Sequence, residues 1–447
     1  MIELGTNLDT GEAVYLAPSV FDLHTQIRGM TRSGKTILQA LVLVSYLTTG
    51  RPLLIIDLAG DLYLWNLLKE ECDSRGRNFQ TVSMDVQEDT LAFNPLQGFD
   101  TTGNDSVRNA VTLVQGLGLD YGAGYGKGFF SAQNVEIALK AFESLSAPSR
   151  PPFQLTELAE TVTRMSKRKR GEASELSLAL ELLAAYPKLD VEAGDGLDIA
   201  NGIESNSVMY FFIDTLFQGP AKSVGSFAAF SAIMGMMRRK REGKSHRKLL
   251  IAIDEFASVA KVSGFIEAIP QMLKFDSSFL LVHQSESQLA TNRDETLSNI
   301  VRENCSTRIY LTCVGDDEVS LQRESKSSTT TQKSRTESGF FNSSVTHRDV
   351  EDYELKLNKI KEVSSTAFQG FLMHRDGKGF VNPIPFQFRP PPIDEYARLS
   401  KQPIPRSQRA AFQTQSNSTP DPAWVTKIRE AIARAESLEN WRNARVP

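Results

Sequence analysis

Residues 29–36 read Gly29-Met30-Thr31-Arg32-Ser33-Gly34-Lys35-Thr36: a glycine, four residues, then Gly-Lys-Thr. Glycines let a backbone wrap closely and take positive φ. Successive N–H groups, with the N-terminus of a following helix, then make an anion cradle. The surroundings supply the context this pattern needs. A strand pattern at 23–28 precedes it, and the apolar helix formers of 37–47 follow, with Gly50 placed as a C-cap. Arg51-Pro-Leu-Leu-Ile-Ile-Asp57 comes next, a continuous apolar run of the kind that forms a strand buried on both faces. Strand, loop, helix and strand make a βαβ unit of a parallel α/β sheet.

Outward from there, a strand pattern at 13–16 comes before the loop. From 98 to 204 strand runs vanish and helical patterns take over at 131–145, 155–165 and 173–185, with 15 acids and 10 bases. This block is expected to be an all-α domain inserted between residues 1–97 and 205–388 of the sheet domain. The β pattern resumes at 207–213, and a helix is expected over 220–241. Buried strands follow at 248–254, 279–283 and 307–311, with late strands at 367–374 and 379–384. Residues 324–346 include a stretch, 325–336, in which eight of twelve residues are Ser or Thr. Such a composition cannot bury a core and predicts a mobile loop. Residues 389–447 read as a polar linker and a C-terminal amphipathic helix, with Asp421 as N-cap, Pro422 after it, and Trp424, Ile428, Ile432, Leu438 and Trp441 on one face.

Composition narrows the function classes. The chain has 447 residues, 40% hydrophobic and 23% charged, with net charge −4, so it is a core-forming protein and no bulk polycation. Three cysteines without a CxxC pair argue against a disulfide framework or a zinc module. No apolar stretch approaches a bilayer-spanning length, and residues 1–13 carry three acids and no base, unlike a secretory signal.

The chemistry gathers at strand ends. Lys35 would place a point charge on the β- and γ-phosphates, and Thr36 would offer a hydroxyl to Mg. Asp254-Glu255 closes the buried strand at 248–254, over the same sheet edge as the glycine-rich loop. Asp254 fits a Mg shell and Glu255 the water-orienting base. Gln284, after the strand at 279–283, fits a γ-phosphate sensor. Basic clusters at 164–170 (Arg164, Lys167, Arg168, Lys169, Arg170) and 238–248 are candidates for DNA phosphates, against the plainer reading of solvated helix ends.

These blocks resemble, in order, the TraG/TraD family of type IV secretion coupling proteins, relatives of the FtsK and HerA translocases. The loop at 23–36 matches, as do 53–63 with its Asp57-Leu-Ala-Gly-Asp61 core, Phe93-Asn-Pro-Leu96, 249–261 with AIDEFASVAK, and 283–289 with 299–310 behind it. The resemblance implies a RecA-like P-loop ATPase with ATP and Mg as cofactors. It implies a hexameric ring with DNA in its pore, relaxase or relaxosome partners and a membrane secretion channel. Gly29 to Thr36 then bind nucleotide, with Glu255, Gln284 and Lys35 catalytic and Thr36 and Asp254 on the metal. Family members begin with membrane helices, whereas this chain opens on the ATPase strand. The expectation is a cytoplasmic protein that either reaches the inner membrane through a partner or serves a soluble role. The family also carries a trans-acting arginine before the sensor glutamine, where this chain has Lys274; Arg302 and Arg308 are further candidates. Two other readings stay open: a soluble duplex-DNA pump in repair, packaging or defence, and a nucleotide-dependent recruitment platform with little turnover.

Overall fold

In a computed structural model, the described residues are 2–407 without 121–126, 148–152, 171–173, 193–194, 214–217, 245, 261–263, 291–295, 338–342 and 376–379. The amphipathic helix read at 421–441 lies outside them.

One large sheet organises these residues. Its strands, in chain order, are β1 (Ile2–Asn7), β2 (Ala13–Leu16), β3 (His24–Arg28), β4 (Leu53–Asp57), β5 (Phe79–Ser83), β6 (Val208–Phe212), β7 (Leu249–Asp254), β8 (Ser277–His283) and β9 (Cys305–Leu311). A separate ribbon follows, β10 (Ser327–Glu337) with β11 (Ser343–Tyr353), before β12 (Gln369–His374) and β13 (Ile384–Gln387) return to the sheet. The spatial order is β2-β1-β13-β12-β9-β3-β8-β7-β4-β6-β5. From β9 to β5 every pairing is parallel, and β12, β13, β1 and β2 extend the sheet as an antiparallel edge.

The continuous apolar runs obey the period of two. Leu53, Ile55, Val208, Tyr210, Leu250 and Ala252 face one core, with the helices Lys35–Leu47 and Leu62–Ser74. Leu54, Ile56, Met209, Phe211, Ile251 and Ile253 face the other, with the helix Gln218–Arg241. Each Leu or Ile fully buried this way contributes about 1.5–3 kcal/mol. The helices Ser106–Gly116, Lys127–Leu145, Leu155–Arg170, Glu175–Ala184 and Ile199–Glu204 fill the stretch read as all-α. Their buried Leu113, Phe142, Leu158 and Leu180 join the second core, so this block packs directly on the sheet.

Three expectations need correction. The Ser/Thr-rich segment 324–346, expected to be a loop, forms most of the β10–β11 ribbon, with eleven cross-strand partners from Ser327↔Tyr353 to Glu337↔Ser343. In a two-stranded ribbon the facing N–H and C=O groups pair across the strands while the outward ones are left to water, so polar residues can form it, and β-branched Thr and Val suit it. Within the expected linker, Ile393–Lys401 is a helix. Tyr63 meets Tyr396 at 4.8 Å between ring centroids, and Arg398 pairs with Glu70. The last strand sits at Ile384–Gln387 instead of 379–384. Ile2–Asn7 and Phe79–Ser83, half polar near the sheet margins, gave no strand signal in the sequence.

Candidate nucleotide site

The loop from Gly29 to Gly34 leaves the carboxyl end of β3 and opens the helix Lys35–Leu47. Gly34 has φ +92°, and a side chain at Gly29 would come within 2.7 Å of Leu311 Cβ. Both positions require glycine. Arg32 also takes positive φ, +67°, and its side chain is exposed. Ser33 Oγ is buried without a hydrogen-bond partner. The first N–H groups of the helix have no intrahelical carbonyl and remain donors at the end of the loop. A tight loop whose crowded Gly29 and Gly34 leave no room for side chains, lined by an orphaned hydroxyl and free N–H groups, fits an oxyanion such as a phosphate.

Lys35 donates to the Met30 carbonyl at 3.3 Å. Burial draws its ammonium below the usual lysine range, while Glu255 and Asp254 pull the other way. The two acids come from β7, whose last residue, Asp254, pairs in register with Asp57 of β4. Asp254 Oδ1 accepts from Glu255 N at 2.9 Å. Burial raises the Asp254 carboxyl well above its ordinary range, helped by the neighbouring Asp57 and Glu255 charges. Glu255 itself stands at φ +49°, a left-handed conformation that turns the chain sharply off the strand. Gln284, just beyond β8, donates from Nε2 to Glu255 Oε1 at 3.2 Å. The structure thus brings Lys35, Asp254, Glu255 and Gln284 to one sheet edge.

Two residues were quoted in the sequence without a role. Asp57, fully buried, accepts from the N–H groups of Ala59, Gly60 and Asp61 and from the Tyr210 hydroxyl at 2.8–3.0 Å. Burial pushes its carboxyl up to about 6. Asp61 caps the helix Leu62–Ser74 by accepting from Leu64 N at 3.1 Å; burial raises its carboxyl above the ordinary range, and the nearby Thr36 side chain is among the groups that pull it back down. The signal was available: a carboxylate ending a doubly buried strand, as at Asp254. The donor set of hydroxyl and carboxylates is hard oxygen, which suits Mg. No cluster of three His, Cys, Asp or Glu forms a metal cage among the described residues. Mg is bound by one or two carboxylates together with phosphates, so such a cage is not required.

The trans-acting candidates separate. Lys274 is exposed, just before the amino end of β8. A strand of that length sets it about 20 Å from Gln284. Arg308 is buried, pairs with Glu324 at 2.8 Å and lies 4.1 Å from the Phe380 ring centroid, so its guanidinium is fully engaged within its own chain. Arg302 donates to Asn299 Oδ1 at 2.6 Å and keeps substantial exposure. Arg28, directly before the loop, is an interior charge: Glu286 at 2.8 Å and Asp317 at 3.3 Å neutralise it, and Tyr310 lies beneath it.

Of the basic clusters, Arg164 and Lys167 are exposed on the helix Leu155–Arg170, while the side chains of Arg168, Lys169 and Arg170 lie outside the described set. The 238–248 cluster meets acids instead: Arg239 and Arg247 reach Glu204, Lys244 reaches Glu242, and Lys248 reaches Asp22.

Residues 248–364, which hold Asp254, Glu255 and Gln284, match the family model described as the TraM recognition site of TraD and TraG. No curated protein sequence matches the chain. Among solved structures, the unbound monoclinic form of the bacterial conjugative coupling protein TrwBdeltaN70 aligns with 90% of this chain and 91% of its own, at 14% identity and a TM-score of 0.58. VirB4 of Thermoanaerobacter pseudethanolicus aligns over 88% and 98%, at 14% identity and a TM-score of 0.57. The plasmid coupling protein TrwB in complex with ADP and Mg2+ aligns over 88% and 91%, again at 14% identity, with a TM-score of 0.55. The matched segment and the shared fold bear out the likeness read from the sequence, to TraG/TraD-type coupling proteins.

Proposed function

We propose that the chain is a Mg-dependent ATPase that uses hydrolysis to recruit or pump DNA in conjugative or type IV secretion transfer. The observation that carries this reading is the hydrogen bond from Gln284 Nε2 to Glu255 Oε1 at 3.2 Å, on the sheet edge that bears Lys35. That contact joins a base to a sensor. Glu255 orients the attacking water and takes its proton, and the Gln284 amide holds the carboxylate until a γ-phosphate oxygen competes for it. Lys35 neutralises charge on the β- and γ-phosphates, and the loop N–H groups hold their oxygens. Thr36 and Asp254 would hold Mg, which supplies charge neutralisation between the two phosphates when bound. TrwB, whose fold the chain shares, carries ADP and Mg2+ in the solved complex, which supports both ligands here. The match to the TraM recognition region supports a relaxosome protein as partner. A homo-hexameric ring on DNA, with the site completed in trans by Arg302 or Lys274, follows from the family likeness.

The test is steady-state ATP hydrolysis by the full chain at low salt, without DNA, with single strands and with duplex. DNA-stimulated turnover that disappears in Lys35→Ala is expected. Glu255→Gln should lower turnover about 10²–10⁴-fold while still binding ATP. Wild-type rates in that variant would remove Glu255 from the mechanism. Stimulation by duplex alone would favour the duplex pump, and no turnover under any condition the recruitment platform.

A further inference from the structure

The phosphates account for one end of the nucleotide, and the order of the sheet indicates where the other end goes. β3, which carries the loop, lies between β8 and β9. Gln284, Glu255 and Asp254 all come from the β8 and β7 side. The γ-phosphate therefore points to that side, and the nucleoside leaves across β9 toward β12 and β13. There Phe368, the residue before β12, closes on the loop. A Cβ built on Gly34 would lie 3.0 Å from Phe368 Cδ1 and 2.9 Å from Phe388 Cζ. The two phenylalanine rings meet edge to face, 5.6 Å apart at 89°. Phe388 N donates to the Phe368 carbonyl at 3.0 Å. Phe388 is buried, whereas Phe368 is only half-buried. The φ of Phe368 is +62°, a left-handed conformation in which a bulky residue is an outlier. A strained aromatic that Gly or Asn would relieve, beside a ligand cradle, marks a ring with a task.

We propose that Phe368 is the base platform of this site, stacking on the planar purine with Phe388 bracing it from behind. This deepens the nucleotide-binding function proposed above and rests on it. A ring reads the π face and not the hydrogen-bonding edge. The platform therefore accepts adenine and guanine alike.

The test is equilibrium binding of ATP, GTP and inorganic tripolyphosphate to the full chain, by calorimetry. Phe368→Leu keeps apolar bulk against Gly34 but has no π face. It should weaken ATP and GTP about tenfold alike and leave tripolyphosphate unchanged. Unchanged tripolyphosphate binding also reports an intact loop. Phe368→Trp should restore nucleotide affinity. Equal weakening of ATP and tripolyphosphate would reduce Phe368 to loop packing, and wild-type affinity for every ligand would exclude it from the site. A wild-type protein that binds tripolyphosphate no more weakly than ATP would also sink the platform while leaving the phosphate cradle standing. One that binds neither would sink the nucleotide-binding function itself.

Discussion

At the scale of single residues, burial within the sheet works against charge. His24 and His283 show the consequence for stability. His24 Nδ1 accepts from Phe279 N, and its Nε2 donates to the Ile269 carbonyl. His283 Nδ1 donates to the Ser285 carbonyl, which leaves Nε2 to accept from the Gln26 amide. Each ring needs one bare nitrogen, so the fold favours the neutral form. Burial pushes His24 down to about 4 from 6.5 and, with Arg28 nearby, His283 to about 3. Above 6.5 both rings are neutral, folded or unfolded, and their contribution is fully present. As the pH falls below that value, the unfolded chain binds protons that the folded chain refuses. Each histidine then costs about 1.4 kcal/mol per pH unit until its folded value is reached. His24→Gln should lose about 2 kcal/mol less stability than wild type between about pH 7 and about pH 5. Urea unfolding at the two pH values checks this, and parallel losses in both proteins would contradict it.

Single elements show where local propensity and tertiary packing diverge. The helix Ile393–Lys401 has only nine residues and would be marginal alone. It persists because the helix Leu62–Ser74 gives it a dock. Asn66 Nδ2 lies 2.9 Å from the carbonyl of Leu399 and 2.8 Å from that of Gln402, the last residues before the chain turns away. Leu399 is fully buried in the first core. Asn66→Ala should cost about 1–3 kcal/mol by leaving those carbonyls unsatisfied. It should also speed proteolysis near residue 392. Unchanged melting and cleavage would show that Leu399 alone holds the helix. The β10–β11 ribbon makes the complementary case. Among the described residues its strands pair only with each other, and it is anchored at its base, where Glu354 N donates to the Lys326 carbonyl at 2.8 Å and Lys326 N to Asn382 Oδ1 at 3.0 Å.

At the scale of the whole molecule, one sheet separates two main cores, with a smaller third cluster around Tyr310, Leu321, Ile360 and Phe371. The first core carries the loop helix and the helix Ile393–Lys401; the second carries the inserted helices. The proposed chemistry lies on the carboxyl edge between them, as open α/β sheets place their ligands. With a net charge of −4, the DNA contact of the proposed function falls to local surfaces, and the engagement of Arg239, Lys244, Arg247 and Lys248 with acids turns attention to Arg164 and Lys167. If that helix grips DNA, replacing both with Ala should lower the slope of log affinity against log salt by about 2. Binding titrations across a salt series measure it, and an unchanged slope would move the DNA contact elsewhere.

The sequence by itself determined the parallel sheet and nominated the residues of the proposed site. Doubly buried strands read as unbroken apolar runs at 51–57 and 248–254, and the Gly-Lys-Thr loop needs only its flanking strand and helix to be recognised. The residues proposed for it were legible locally: Lys35 and Thr36 where a glycine-rich loop opens a helix, and Asp254, Glu255 and Gln284 where buried strands end. Only the tertiary structure decided the rest. Asp57 meets the Tyr210 hydroxyl only once β4 and β6 lie side by side. Phe368 meets Gly34 across more than 300 residues of chain, and Arg308 turns out to be committed to Glu324. Such contacts depend on strand order, on which a linear apolar pattern carries no information. The same holds for the ribbon, since pairing between two polar strands is a property of their meeting and not of either alone.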